Sequence, residues 1–263
     1  MTAIDPVSPD LSSRFDVACT LATEAAALAM RMRPPPGAAQ ASLKSRQDWL
    51  TEADGAVERF IAARLQDAFP EDGFQGEETG STRPGRLRWV VDPIDGTSNF
   101  ARGGARWCVS LGLLDGEMAV AGVLVAPALG DTYAGVKGGG ATLNGVPIRV
   151  AATEAIDRAI VEVGWSPRTA DEDFGAICGR VMRAGAMLRN GGSGALGLAE
   201  VAAGRVDGYL ERHINLWDCA AALAILAEAG AVVNDYLPAG IASGGPIMAA
   251  TPSLAGVLAE LLR

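Results

Sequence analysis

The stretch WVVDPIDGTSNF, residues 89–100, constrains the fold of this chain more than any other. Leu87 to Val91, a short apolar run, reads as a buried strand. This one ends in Asp92 and Asp95, two carboxylates close together at the edge of a core. Like charges repel at short range and burial disfavours charge, so a cation, a partner side chain or water must offset the cost. Gly96 permits a tight turn behind them. If a helix opens there, the free amides near Thr97 and Ser98 suit a phosphate.

Around this strand the chain alternates between helical and extended texture. Residues 10–33 read as a helix rich in Ala, Leu and Met, loaded with Arg31 and Arg33 at its end and stopped by PPPG. Residues 34–48 read as a loop. The segment WLTEADGAVERFIAARLQDAF is a second helix, with Val57, Ile61 and Leu65 recurring every fourth residue. From Trp107 to Val150 the texture is extended, with turns marked by Gly, Asn and Asp; KGGGAT is one of these turns. Beyond about residue 150, strands at AIVEVGW, AMLRN and VDGYLE alternate with helices at Phe174–Ala186, Gly194–Ala203 and Trp217–Ala229. The composition shows no sharp break. The expectation is one α/β domain over 1–263, built from two tightly joined lobes, about 1–150 and 151–263.

Charge and composition exclude several function classes. Lys+Arg is 22 against Asp+Glu 31, a formal charge of −9, which argues against nucleic acid or an anionic membrane as the partner. The start of the sequence lacks the basic and apolar regions of a signal peptide. The apolar run Cys219–Ala227 falls far short of the roughly 20 residues that span a bilayer. Cys19, Cys108, Cys178 and Cys219 form no C-x-x-C pair, so the reading is reduced cysteines in a cytoplasmic protein. A single histidine leaves no His-rich zinc site.

Carboxylates recur where α/β folds gather ligands, at strand ends and helix starts. Asp54 lies in TEAD, Glu77 and Glu78 in GEE, and Asp218 in WD. Each alone suits a helix cap or a solvated turn. Together with Asp92 and Asp95 they make an all-oxygen set for a hard cation, magnesium, manganese or calcium. A dedicated calcium loop fails, because from Asp92 the third position is Ile94 and the twelfth is Gly103. Carboxylates for metal, amides for phosphate and a hydroxyl at Thr97 to orient water are the parts for metal-assisted phosphoryl transfer to water.

The segments GEE, WVVDPIDGTSNF and WDCAAALAILAEAG, with LKSRQDWLTEAD and GGGATLNGVPIRV, resemble the inositol monophosphatase family in order and separation, from roughly residue 40 to 235. The resemblance implies a layered αβαβα sandwich, a homodimer, and hydrolysis of a small phosphate monoester with two or three Mg²⁺ ions. It implies that Glu77, Asp92 and the Ile94 carbonyl hold one ion, and that Asp92, Asp95 and Asp218 hold a second. Glu77 would also help hold a third. Asp54 and Thr97 would orient the attacking water, the amides of Gly96 and Thr97 would grip the phosphate, and Asp95, Glu211 and the amide of Gly194 would meet the alcohol. Lys44 matches a lysine of the family's mobile N-terminal loop, and Glu78 would stand behind the ligands. Asn215 replaces a frequent histidine, and GSGALG departs from the usual G-S-A-A-L-D at Gly194 and Gly197.

Inositol monophosphate leads among substrates, ahead of histidinol phosphate and nucleotide or sugar bisphosphates. A second phosphate would be repelled by Glu211 unless Arg212 or Arg189 compensates. Two rival readings fit the sequence less well. A Ser193–Asp207–His213 triad follows hydrolase order, but the glycines around Ser193 suit close packing and His213 suits a surface or loop position. A metal-binding interaction protein without turnover should have lost a ligand or the water-orienting pair, and all are present.

Overall fold

The computed structural model describes residues 9–37, 42–46 and 48–263. The chain opens with α1 (Pro9–Met32), a hairpin of β1 (Ser42–Ser45) and β2 (Asp48–Leu50), and α2 (Glu52–Ala68). Next come β3 (Gly73–Gly76), β4 (Gly80–Arg83), β5 (Leu87–Asp95) and the short α3 (Thr97–Ala101). A meander follows through β6 (Cys108–Asp115), β7 (Met118–Ala126), β8 (Asp131–Val136), β9 (Gly140–Leu143) and β10 (Val146–Pro147). The second half runs β11 (Ile160–Val163), α4 (Asp171–Arg183), β12 (Met187–Arg189), α5 (Gly194–Ala202), β13 (Gly208–Ile214) and α6 (Leu216–Ala229). It closes with β14 (Val232–Val233), α7 (Leu237–Ser243), β15 (Gly245–Ala250) and α8 (Ala255–Leu262).

Two larger sheets result, ordered β10-β9-β8-β7-β6-β5-β3-β4 and β12-β11-β13-β15-β14. Helices α1 and α2 cover one face of the first, burying Leu21, Ala25, Val57, Ile61 and Leu65 against Trp89, Val91 and Leu111. The other face meets α5 and α6, where Val90 and Leu124 join Leu196, Ala221 and Ile225. Tyr209 and Ile247 of the second sheet pack on those same helices. The far side of that sheet is closed by Ile177 and Val181 of α4 and Leu258 of α8. The layers therefore alternate αβαβα, as expected. Along β5 the alternation of Val90 with Trp89 and Val91 sends neighbouring side chains into opposite cores, as pleating requires.

A row of glycines seats the central helix. Gly112, Gly122 and Gly135 pair across β6, β7 and β8. A Cβ at Gly122 would fall on the Ala221 carbonyl, and one at Gly112 would lie 2.7 Å from the Ala221 amide. Bare backbone lets α6 lie close against the sheet, which brings its N-terminus, with Asp218, to the end of β5.

Three expectations need correction. The helix expected over Phe174–Ala186 runs instead from Asp171 to Arg183, because three acids, Asp171, Glu172 and Asp173, suit its first turn and Gly185, at φ +96°, follows its end. Residues 34–48 are not simply a loop, because they contain β1 and part of β2. The helix expected from Trp49 begins at Glu52, because Thr51 takes the extended conformation of an N-cap. Among the described residues, no helix is long and apolar enough to cross a membrane, and all four cysteines are free.

Candidate active site

Asp92 and Asp95 lie on one strand three residues apart, a spacing that pleating would send to opposite faces. The ladder to β6 slips between them: Asp92 pairs with Ser110, but Asp95 pairs with Cys108. The extra residue is a bulge, the device that re-aims side chains beside active sites. With it, carboxylate oxygens of Asp92, Asp95 and Asp218 come within 4.8 Å of one another. Asp54, Glu77 and Glu78 form a second such group. The groups are linked, since Glu77 adjoins Asp92 and helps hold its proton.

Both helix-borne aspartates do two jobs. Asp54 stands at the third position of α2, where its Oδ2 accepts from the Thr51 amide at 2.8 Å and the Thr51 hydroxyl at 2.6 Å. Its Oδ1 faces Thr97 Oγ1 at 3.3 Å. Asp218 repeats the arrangement on α6, its Oδ2 accepting from the backbone and side-chain nitrogens of Asn215 at 2.9 and 3.1 Å. The capping reading and the ligand reading are therefore compatible, because a carboxylate has an oxygen for each. Asn215, the departure from the usual histidine, is the cap partner of Asp218.

The turn after β5 is equally fixed. Asp92 Oδ1 accepts from the Ile94 amide at 2.9 Å, and Thr97 Oγ1 donates to the Ile94 carbonyl at 2.8 Å. Gly96 has φ +89°, and a Cβ there would lie 2.8 Å from the Arg106 carbonyl. The first two amides of α3, those of Thr97 and Ser98, thus follow directly on the carboxylates, while those of Asn99 and Phe100 donate to the Gly96 carbonyl at 2.9 and 3.0 Å.

Asp95 meets a different environment. The Ser193 hydroxyl and the Ala195 amide, the latter at 2.9 Å, donate to its Oδ2, and the Gly194 amide reaches Oδ1 at 3.3 Å. The start of α5 is therefore turned on this carboxylate. Beyond it, Tyr209 donates to Glu211 Oε2 at 2.5 Å. Both groups sit on a cleft of about 340 Å³ that Glu77, Asp218, Trp49, Arg168 and His213 also line, a size that suits a small ligand.

Burial drives the electrostatics. It pushes Asp92 well above the usual carboxylate range, helped by Glu77, Asp95 and Asp218. Burial and Asp218 raise Asp95 to about 7 against the pull of Ser193 and the α5 amides. Glu211 rises to about 8, again chiefly by burial, and Asp54 and Asp218 shift upward for the same reason. Removed from water without a cation, these carboxylates take up protons more readily than free ones do. An all-oxygen set of this kind fits hard divalent cations, and a bound cation reverses the shift.

Asp54, Glu77, Glu78, Asp92, Ile94, Asp95, Gly96, Thr97, Gly194, Glu211 and Asp218 all lie at or beside this cleft. Lys44 is on β1, but its side chain lies outside the described residues. Neither arginine considered for a second phosphate faces Glu211: Arg189 is bound by Glu162 and Glu200, and Arg212 donates to the Leu262 carbonyl. Arg168 lines the cleft instead.

His213 is on a strand and not in a loop. It is half-buried on β13, with no partner for Nε2 among the described residues. The triad fails, since Ser193 bonds Asp95 and Asp207 accepts from the Ile160 amide at 2.7 Å. Sequence reasoning missed Ser193 and Tyr209 as supports. A serine before a helical run signals an N-cap, and Tyr209 shares a strand face with Glu211, two residues on.

The sequence profile described as Inositol monophosphatase family matches residues 10–263. A protein of Rhizobium meliloti named inositol-1-monophosphatase is 36% identical over 230 residues, covering 85% of this chain and 86% of that protein. A protein of Xylella fastidiosa named Nus factor SuhB is 37% identical over 196 residues, covering 73% and 71%. The crystal structure of the extragenic suppressor protein suhB from Bartonella henselae superposes with a TM-score of 0.87 at 30% identity, covering 95% of this chain and 98% of that one. The chain belongs to the inositol monophosphatase family and is a phosphoric monoester hydrolase.

Proposed function

We propose that this protein hydrolyses the monophosphate of a small polyol, inositol monophosphate foremost, with magnesium. The observation that carries the reading is the meeting of the two carboxylate groups with Thr97 and Glu211 on one cleft. Glu77, Asp92, the Ile94 carbonyl, Asp95 and Asp218 would hold two or three cations. Bound there, the cations supply charge neutralisation at the phosphate and an activated water.

The remaining work falls to the chain. Asp54 Oδ1 and the Thr97 hydroxyl, 3.3 Å apart, form a pair that orients the attacking water and accepts its proton. The amides of Gly96 and Thr97 bind phosphate oxygens. Glu211, steadied by Tyr209, accepts from substrate hydroxyls and draws an ammonium, which makes histidinol phosphate the second candidate. A cytoplasmic homodimer is part of the same proposal, supported by the family and by the free cysteines.

The test is release of inorganic phosphate from a panel of esters in magnesium and in excess chelator. Turnover should require magnesium and favour inositol monophosphate. Full turnover in chelator would sink the metal scheme, and strong preference for a bisphosphate would sink the substrate assignment alone.

A further inference from the structure

Glu58 lies on α2, one turn beyond Asp54, and only 1% of it is exposed. No part of the reaction scheme uses it. A carboxylate this deeply buried needs hydrogen bonds. It finds them in the turn between β3 and β4: the Glu78 amide donates to Oε2 at 2.8 Å, and the Thr79 amide donates to Oε1 at 2.9 Å. The amide just before them, that of Glu77, donates to the Val91 carbonyl of β5 at 3.1 Å. Three successive amides are thereby fastened, one to the strand that carries Asp92 and two to the helix that carries Asp54.

Gly76 keeps the place open, because a Cβ there would overlap the Glu58 carboxylate. Residues four apart share one face of a helix. One face of α2 therefore presents Asp54 to the acidic group and Glu58 to the backbone behind that group.

We infer that Glu58 is a positioning residue for metal binding: it fixes the backbone of the Glu77–Glu78 turn so that these carboxylates face Asp54 and Asp92. The inference rests on the reading of Glu77 as a ligand. Glu58→Gln keeps the side chain's shape but turns an NH₂ group toward an amide N–H, so one of the two bonds is lost and the turn loosens. Outer groups that orient ligands typically contribute ~10–100-fold to metal affinity.

The test is Mn²⁺ binding to the full chain, followed by electron paramagnetic resonance or calorimetry, with the melting temperature measured in parallel. Glu58→Gln should weaken Mn²⁺ binding about tenfold or more. The magnesium concentration for half-activation should rise equally, while kcat at saturating magnesium and KM for the ester stay near wild type. Unchanged Mn²⁺ affinity in folded Glu58→Gln would overturn the inference, whatever the melting temperature. If that variant does not fold, Gly76→Ala displaces the same carboxylate and should give the same loss. Failure of both to fold would overturn the inference by making Glu58 a requirement of the fold. Glu77→Gln separates the premises: if it too leaves Mn²⁺ affinity unchanged, the ligand assignment fails.

Discussion

The two walls of the cleft share one device, a capped aspartate at the start of a helix, and differ in how they hold the rest of their carboxylates. On the wall of α2, the β3–β4 turn and β5, Asp54 is held by the Thr51 cap, but Asp92 faces Glu77 and, among the described residues, accepts from the Ile94 amide two residues along. From the wall of α5, β13 and α6, a hydroxyl and two amides reach across to Asp95 at the end of β5, Asp218 receives both nitrogens of Asn215, and Glu211 receives the Tyr209 hydroxyl. The first wall concentrates negative charge that a cation would neutralise. The second orients its acids with donors, so each keeps a defined oxygen for ligand or substrate. On the proposed reading, cations would be held between the walls, by Glu77 and Asp92 on one side and Asp218 on the other with Asp95 at the seam, and the second wall alone would add Glu211 for the substrate.

Substitutions on the two walls should therefore behave differently. The largest effect is expected from Asp92→Asn, which removes a carboxylate proposed to serve two cations. Turnover should nearly vanish while the metal-free protein melts no lower than wild type, because a buried repulsion is relieved. Near-normal turnover would remove the end of β5 from the metal site. Thr97→Ala comes next. It leaves the carboxylates but loosens the water, with an expected loss of roughly 10²–10⁴-fold in kcat and little change in Mn²⁺ affinity. A matching fall in Mn²⁺ affinity would place Thr97 in metal binding instead. The smallest effect belongs to the second wall: Glu211→Gln should lower kcat/KM modestly for inositol monophosphate and by a larger factor for histidinol phosphate, which carries an amine. Equal losses for both would show that its charge does not select the substrate.

The first wall was the more legible in the sequence. Its acids lie in short segments, TEAD, GEE and DPID, where an apolar run or a helix start turns abruptly acidic. The bulge that turns Asp92 and Asp95 to one side was not legible, because it depends on the register against β6. The second wall was harder to read. Ser193 reaches Asp95 across 98 residues of chain, and no local pattern specifies such a pairing. Glu58 reads as one more charged helix residue until β3 is seen to bring a glycine against it. The hairpin of β1 and β2 was hidden because its strands are short and lack apolar alternation.

The central claim is that these buried acids are gathered for a divalent cation, and its most direct test is the melting temperature of the protein against pH, with chelator and with magnesium. A carboxylate whose pKa is higher in the folded chain binds more protons there, so the stability it contributes is present at low pH and lost as pH rises. For Asp95 that loss spans 3.8 to about 7, and for Glu211 it spans 4.5 to about 8. In chelator, stability should fall between about pH 5 and pH 8. Magnesium should restore it, with a stabilisation that grows toward high pH, where the acids are ionised. A melting temperature that magnesium leaves unchanged at about pH 8 would contradict the account.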